Sequence, residues 1–288
     1  MELKSTADDV RLDLYLAEYL GQSRGELQKK IKHGLVRVNG EVAKPALRLA
    51  QGDHIVLSEA EPLVSAAILP CPVPDFLYED ADIVVLNKPA GCLVHAGQGQ
   101  ENTETLVDYL EQRMPLSTLA GTGRHGIVHR LDQWTEGLMV IAKSDIAYTQ
   151  LVAQFKAHTV LKRYYAMVLG NPLSDHQTVD QPIKRSNASF TKFVVTSQKD
   201  ANAKPSTTHV RVLKRFQTKT LIEAQPVTGR THQIRVHCAF LGHPVVGDSL
   251  YGKAKEGQQQ LQAFTLGFDH PTKGLRLVFQ LPLSDRLG

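Results

Sequence analysis

The segment "GIVHRLDQWTEGLMVIAKS" sets a carboxylate, Asp132, two residues after Arg130 and five before Gly137, with apolar Ile127-Val128 ahead of it and Leu138-Met139-Val140 behind. A charged insertion between two apolar runs marks a loop that interrupts buried strands at the edge of a cleft. The aspartate there has two readings. It is either a structural ion pair with Arg130 or a working carboxylate held ionised where burial would raise its pKa. The segment alone leaves both open. Further on, "PVTGRTHQIRVHCAFLGHPVVGD" adds Arg230 and Arg235 around a glycine turn, a pattern that also suits a capped helix start with scattered surface charge.

Other candidate chemistry falls away on spacing. "GTGRHG", residues 121–126, fits the glycine pattern of a dinucleotide loop, but no amphipathic helix opens behind it to receive a pyrophosphate, so it is a chance match. His232 and His237 are five apart and converge on neither a helix nor a strand. The three cysteines, Cys71, Cys92 and Cys238, form no C-x-x-C pair, which suits a reducing compartment and gives no zinc signature. No metal is expected.

The 288 residues are 42% hydrophobic, enough for one large domain and a small one. "MELKSTADDV" lacks the basic-then-apolar order of a secretory signal, and no run approaches the ~20 apolar residues of a membrane span. A cytoplasmic protein that binds no membrane is the expectation, working as a monomer. The net charge of +4 is concentrated. Residues 184–219 carry nine basic side chains against Asp200 alone, and residues 24–37 carry Arg24, Lys29, Lys30, Lys32 and Arg37 against Glu26. Two such clusters favour a polyanion partner, most simply a nucleic acid.

The proline-rich stretch "EPLVSAAILPCPVPD", residues 61–75, reads as a linker, giving units 1–60 and 76–288. In the first unit, Leu12, Leu16, Tyr19 and Leu20 recur at helical spacing up to Gly21. Ser23 and Glu26 form a capping-box pattern for a second, lysine-rich helix. "LVRVNG" predicts a hairpin turning at Asn39-Gly40, and "GDHIVL" a closing strand. This small α/β unit resembles the alpha-L RNA-binding module of ribosomal proteins and RNA-modifying enzymes. In the second unit, "DIVVLNKP", "RYYAMVLG", "THVRVLKRF", "TLIEAQPV" and "GLRLVFQLP" read as strands, and "NTETLVDYLEQR" and "SDIAYTQLVAQFKAH" as helices. Strands that follow each other without intervening helices predict an α+β domain: a mixed, largely antiparallel sheet flanked by helices.

Four ordered segments, "YEDADIVVLNKPAGCLVHAG", "HRLDQWTEGLMVIAKS", "KRYYAMVLG" and "TGRTHQIRVHCAFLGHPVVGDSLYG", resemble the RluA-type pseudouridine synthases over nearly the whole second unit. The resemblance implies an isomerase that cleaves the glycosidic bond of a uridine in RNA, turns the uracil and rejoins it through a ring carbon. The reaction is redox-neutral and implies no cofactor. Asp132 takes the place of the catalytic aspartate and Arg130 that of the arginine that displaces the target base. Tyr164, in "KRYYA", matches the tyrosine packing on the flipped uracil, and Arg230 the basic residue paired with the aspartate. Ribosomal RNA of the large subunit is the implied substrate, with transfer RNA as the alternative.

After Asp132 and Gln133, Trp134-Thr135-Glu136-Gly137 stand where the family commonly writes aspartate-threonine-serine-glycine. They bear on how RNA enters or which uridine is accepted, or Trp134 simply packs. Two other functions compete: an RNA-binding protein whose catalytic site has lapsed, and a glycoside or nucleoside hydrolase pairing Asp132 with Glu136.

Overall fold

The computed structural model describes residues 1–32, 34–58, 69–97, 103–172, 174–189, 191–252 and 259–287. The chain divides into two compact units, Met1–Ala67 and Ile68–Gly288. Of the proline-rich stretch, residues 61–68 lie outside the described residues.

The first unit runs β1 (Glu2–Lys4), β2 (Val10–Arg11), α1 (Leu12–Leu20), α2 (Arg24–Lys32), β3 (Val36–Val38), β4 (Glu41–Val42), β5 (Arg48–Leu49) and β6 (His54–Leu57). Its main sheet has the order β1-β6-β3-β4, and β2 pairs with β5. Leu12 and Leu16 of α1 meet Leu27 and Ile31 of α2 and Ile55 of β6 in its core. Asn39 and Gly40 both take positive φ, 52° and 86°, as a two-residue hairpin requires to match strand twist. Gly21 ends α1 at φ 61°, the left-handed stop that glycine accepts without strain. One expectation needs amending. Tyr19 is 58% exposed and Tyr15 packs in its stead, because the helix turns that edge of its stripe to solvent. The helix α2 opens directly after Ser23, but the Glu26 side chain of the capping box lies outside the described residues.

The second unit holds β7 (Asp75–Glu79), β8 (Ile83–Lys88), α3 (Leu106–Glu111), β9 (Glu136–Ala142), α4 (Asp145–Lys156) and β10 (Leu161–Leu169). Then follow β11 (His176–Asp180), β12 (Ile183–Arg185), β13 (Phe193–Val195), β14 (Thr207–Arg215), β15 (Lys219–Pro226), α5 (Gln233–Phe240), β16 (Leu261–Asp269) and β17 (Arg276–Gln280). Its sheet is ordered β11-β14-β15-β10-β16-β9-β8-β7, with β17 also on β16. Among the named strands of the described residues, β16 and β9 alone pair in parallel, which gives the expected mixed, largely antiparallel α+β sheet.

Period-two alternation explains why β8 and β9 read as unbroken apolar runs. Val84, Leu86, Met139 and Ile141 face α3, while Val85, Leu138 and Val140 face α4. Thr105 caps α3 with a reciprocal Asp108 box, and Ser144 caps α4 through the Ala147 N–H. On the same sheet, Ile234 and Cys238 of α5 pack on Ala166, Val168, Ile222 and Ala224. Gly137 sits at φ 122°, where a Cβ would lie 2.3 Å from the Ala263 carbonyl oxygen; only glycine lets β9 lie beside β16 at the end of the Asp132 loop.

Candidate active site

A cleft of about 570 Å³ opens beside the segment 128–135, the β10 start, the 226–229 turn and the N-terminus of α5. Asp132, Tyr164, Arg130, Arg230 and Arg235 all line it. Among the described residues that line it, Asp132 is the sole carboxylate.

Arg235 holds Asp132 in place. Its Nη1 donates to Asp132 Oδ2 at 2.7 Å, while Nε and Nη2 donate to the two oxygens of Asp248 at 2.7 and 3.0 Å. Asp248 is fully buried and also accepts from the backbone N–H groups of Leu250 and Tyr251. Burial pushes the Asp248 carboxyl up, but those donors outweigh it and hold it below the ordinary aspartate value. Burial likewise works against the charge on Arg235, and its two carboxylate partners more than restore it. The guanidinium is therefore a fixed fork, one side spent on Asp248 and the other offered to Asp132. No donor among the described residues reaches Asp132 Oδ1, and the side chain remains 19% exposed.

His232 stands at the start of α5 in the left-handed region, φ 57°. Its Nε2 lies 3.8 Å from Asp132 Oδ2. Its Nδ1 meets the Tyr251 hydroxyl at 2.8 Å, and that oxygen accepts the Phe193 N–H at 2.9 Å. With Tyr251 giving its one proton to Nδ1 and accepting from Phe193, His232 is the tautomer that presents an Nε2–H to the cleft. Tyr164 is half-buried, and burial first, then Asp132, push its phenol above the ordinary tyrosine value, so it stays protonated.

The loop carrying Asp132 is pinned from behind. Lys88, fully buried, donates to the carbonyls of Pro89, Cys92 and Gln133 at 2.8, 3.0 and 3.1 Å. Gln133 exchanges two further bonds with Gly91, and the Trp134 ring packs on Gly91 while staying 39% exposed. Glu136 lies 3.5 Å from Arg286 and does not line the cleft, which removes the second carboxylate that a hydrolase reading needs.

The structure revises the charge pairing. Arg230 does not pair with Asp132: its Nε donates to the Pro205 carbonyl at 3.1 Å, and its N–H to Gln233 Oε1. It sits in the turn ahead of α5, whereas Arg235 lies inside the helix on its buried face. Nor does Arg130 pair with Asp132. Its Nη1 lies 2.9 Å from His95 Nε2, and burial first, then the Arg130 charge, push His95 down to about 4, leaving a neutral acceptor. In the first unit, Arg24 is bound to Asp13, Lys30 to Gln22 and Arg37 to the Gly40 carbonyl. The Lys29 and Lys32 side chains lie outside the described residues. Arg235, Asp248, His232, Tyr251, His95 and Lys88 are the residues sequence reading did not assign. The signal for Arg235 was a lone charge in the apolar run "QIRVHCAF".

Comparison with known proteins gives the class to which this sheet and cleft belong, the RNA pseudouridylate synthases. The model of that family, "RNA pseudouridylate synthase", matches residues 82–240, and the S4 domain matches residues 10–55. The chain belongs to the RluA-type family of RNA pseudouridine synthases, isomerases that act on RNA. It is 40% identical over 283 residues to an uncharacterized RNA pseudouridine synthase of Bacillus subtilis, covering 96% of this chain and 92% of that one. It is 38% identical to ribosomal large subunit pseudouridine synthase D of Pseudomonas aeruginosa, covering 96% and 89%. Among solved structures, human RNA Pseudouridylate Synthase Domain Containing 1 superposes with a TM-score of 0.59 at 29% identity, covering 73% of this chain and 83% of that chain. Among the described residues, no helix is long and apolar enough to cross a membrane.

Proposed function

We propose that this enzyme converts specific uridines of large-subunit ribosomal RNA to pseudouridine, with Asp132 as the reacting carboxylate. The substrate reading rests on relatives named ribosomal large subunit pseudouridine synthase D, similar to this chain over nearly its whole length. The residue assignment rests on one observation: Asp132 has one oxygen held by Arg235 and the other open to the cleft.

In the reaction the N1–C1′ bond of uridine breaks and a C5–C1′ bond forms; the proton leaves C5 and N1 gains one. Asp132 either attacks C1′ or removes a sugar proton, and its open oxygen serves both routes. The Tyr164 ring supplies a face on which the detached uracil turns, worth roughly 1–3 kcal/mol of stacking. Arg130, held by neutral His95 beside the cleft, is the group we assign to fill the gap left by the extracted base, an extraction that costs a few kcal/mol of unstacking. The first unit, with Arg24, Lys29, Lys30, Lys32 and Arg37, contributes sequence-independent phosphate contacts. Pseudouridine mapping of total RNA from cells with and without this gene tests the reading. A large-subunit ribosomal uridine that loses its modification supports it, whereas a change confined to transfer RNA overturns the substrate assignment.

A further inference from the structure

The cleft holds a cation that the pairing around Asp132 leaves unused. Lys162 is two residues before Tyr164 on β10, across the register shift between Arg163 and Tyr164, and lines the same cleft. Among the described residues its Nζ has one partner, the Thr228 carbonyl at 3.3 Å, and no carboxylate within ion-pair reach. Gly229 stands beside it, 3.9 Å from Nζ to the position a Cβ would occupy. Lys156 and His158 line that end of the cleft and are exposed.

Comparison with Lys88 shows what is missing. Lys88 is fully buried, and three carbonyls take up its three N–H donors. Lys162, half-buried, has two donors without an acceptor among the described residues. A partly desolvated charge of this kind lowers stability unless an anion completes it. Burial accordingly pushes its amine down to about 8, with no neighbouring carboxylate to oppose the shift.

We propose that Lys162 is a substrate-binding residue that takes a phosphodiester group of the RNA immediately beside the uridine stacked on Tyr164. The inference rests on the reading of the cleft as the uridine site. It assigns the cleft two ends: an isomerising end at Asp132, Arg235 and Tyr164, and a phosphate-anchoring end at Lys162, with Lys156 and His158 near it. The anchor fixes the ribose relative to Asp132 while the base turns, which requires that the sugar stay still when its bond to the base is broken.

The test uses the full-length protein and an RNA fragment containing a uridine that the wild-type enzyme is seen to modify. Single methylphosphonates neutralise each phosphate around that uridine in turn, and kcat/KM and RNA affinity are measured for wild type and Lys162→Met. One flanking methylphosphonate lowers wild-type kcat/KM about tenfold or more, as loss of a charged hydrogen bond does. Lys162→Met loses a similar factor on unmodified RNA and nothing further at that one position. Its melting temperature is unchanged or higher, because an uncompensated charge has been removed. If no flanking methylphosphonate affects the wild type, the proposal is overturned without recourse to the variant. It is equally overturned if Lys162→Met matches wild type on unmodified RNA, or if each methylphosphonate costs both proteins the same. Should the wild type modify no RNA at all, the uridine-site reading falls, and this inference with it.

Discussion

Two aspartates, Asp13 in the first unit and Asp132 in the second, are both held by arginine, and they differ in what is left over. Asp13 is fully buried and accepts from Arg11 Nε and Nη2, Arg24 Nε and Gln28 Nε2, so both oxygens are spent. Those donors, Arg11 first, outweigh burial and hold its carboxyl far below the ordinary value. Asp132 accepts one guanidinium bond on one oxygen and keeps the other free. A saturated carboxylate is a joint between helices, whereas an open one suits the reacting role proposed for Asp132. The same contrast separates Lys88 from Lys162. In each case the sequence shows a charged residue near opposite charge or apolar neighbours, and only the count of satisfied lone pairs or protons tells structure from function.

The most damaging way to disturb this contrast is Arg235→Ala. It strips Asp132 of its partner and leaves buried Asp248 without its fork. It should cost about 3–5 kcal/mol of stability in the second unit and lower kcat about 100-fold or more. Unfolding by denaturant and single-turnover rates measure both. An active, equally stable variant would mean that another group holds the two carboxylates. Asp13→Ala acts on the saturated side. It should cost the first unit about 2 kcal/mol while kcat at saturating RNA stays within twofold; a large loss of kcat would make Asp13 more than a joint.

Acid tests the neutral histidines. Burial pushes His95 down to about 4 and His129 down to about 3, from an ordinary value of 6.5. His129 accepts the Val140 N–H at 3.1 Å and stacks on Phe155, a role that suits the uncharged ring. The unfolded chain takes up these protons as pH falls through 6.5, and the folded chain only near 4 and 3. Stability should therefore decline from pH 6.5 towards 4, with the Asp13 contribution lost only below about 4. Calorimetric scans from pH 7 to 4 would show it, and a flat melting temperature over that range would contradict it. The smallest effect is expected from Arg230→Gln, which removes one bond to the Pro205 carbonyl. It should change kcat by less than about threefold, a loss below 1 kcal/mol. A loss as large as that of Arg235→Ala would restore Arg230 as the partner of Asp132.

Much of the architecture was legible because the signals are local. Asn39-Gly40 writes a hairpin, Ser144 stands at the head of the helix read from it, and unbroken apolar strands report a sheet covered on both faces. What failed was long-range pairing. Arg230 and Arg235 lie five residues apart, and nothing local says which one a side chain 103 positions away will meet. The helix decides it, since Gln233–Phe240 turns Arg235 inward and leaves Arg230 in the preceding turn. His232 was discounted by a spacing argument against metal, which was silent on its approach to Asp132. The stretch "QWTE" proves to be largely a latch, with Gln133 and Trp134 on Gly91 and Glu136 near Arg286.

The central claim is that the open oxygen of Asp132 does the chemistry. Asp132→Asn keeps an acceptor for Arg235 and removes the carboxylate. Incubated with large-subunit ribosomal RNA from cells lacking the gene, the wild type should form pseudouridine at a defined uridine. The variant should form none, while binding the same RNA within about threefold, under 1 kcal/mol. Product formation by Asp132→Asn at a tenth of the wild-type rate or more, within about 1.4 kcal/mol of the full barrier reduction, would contradict the claim.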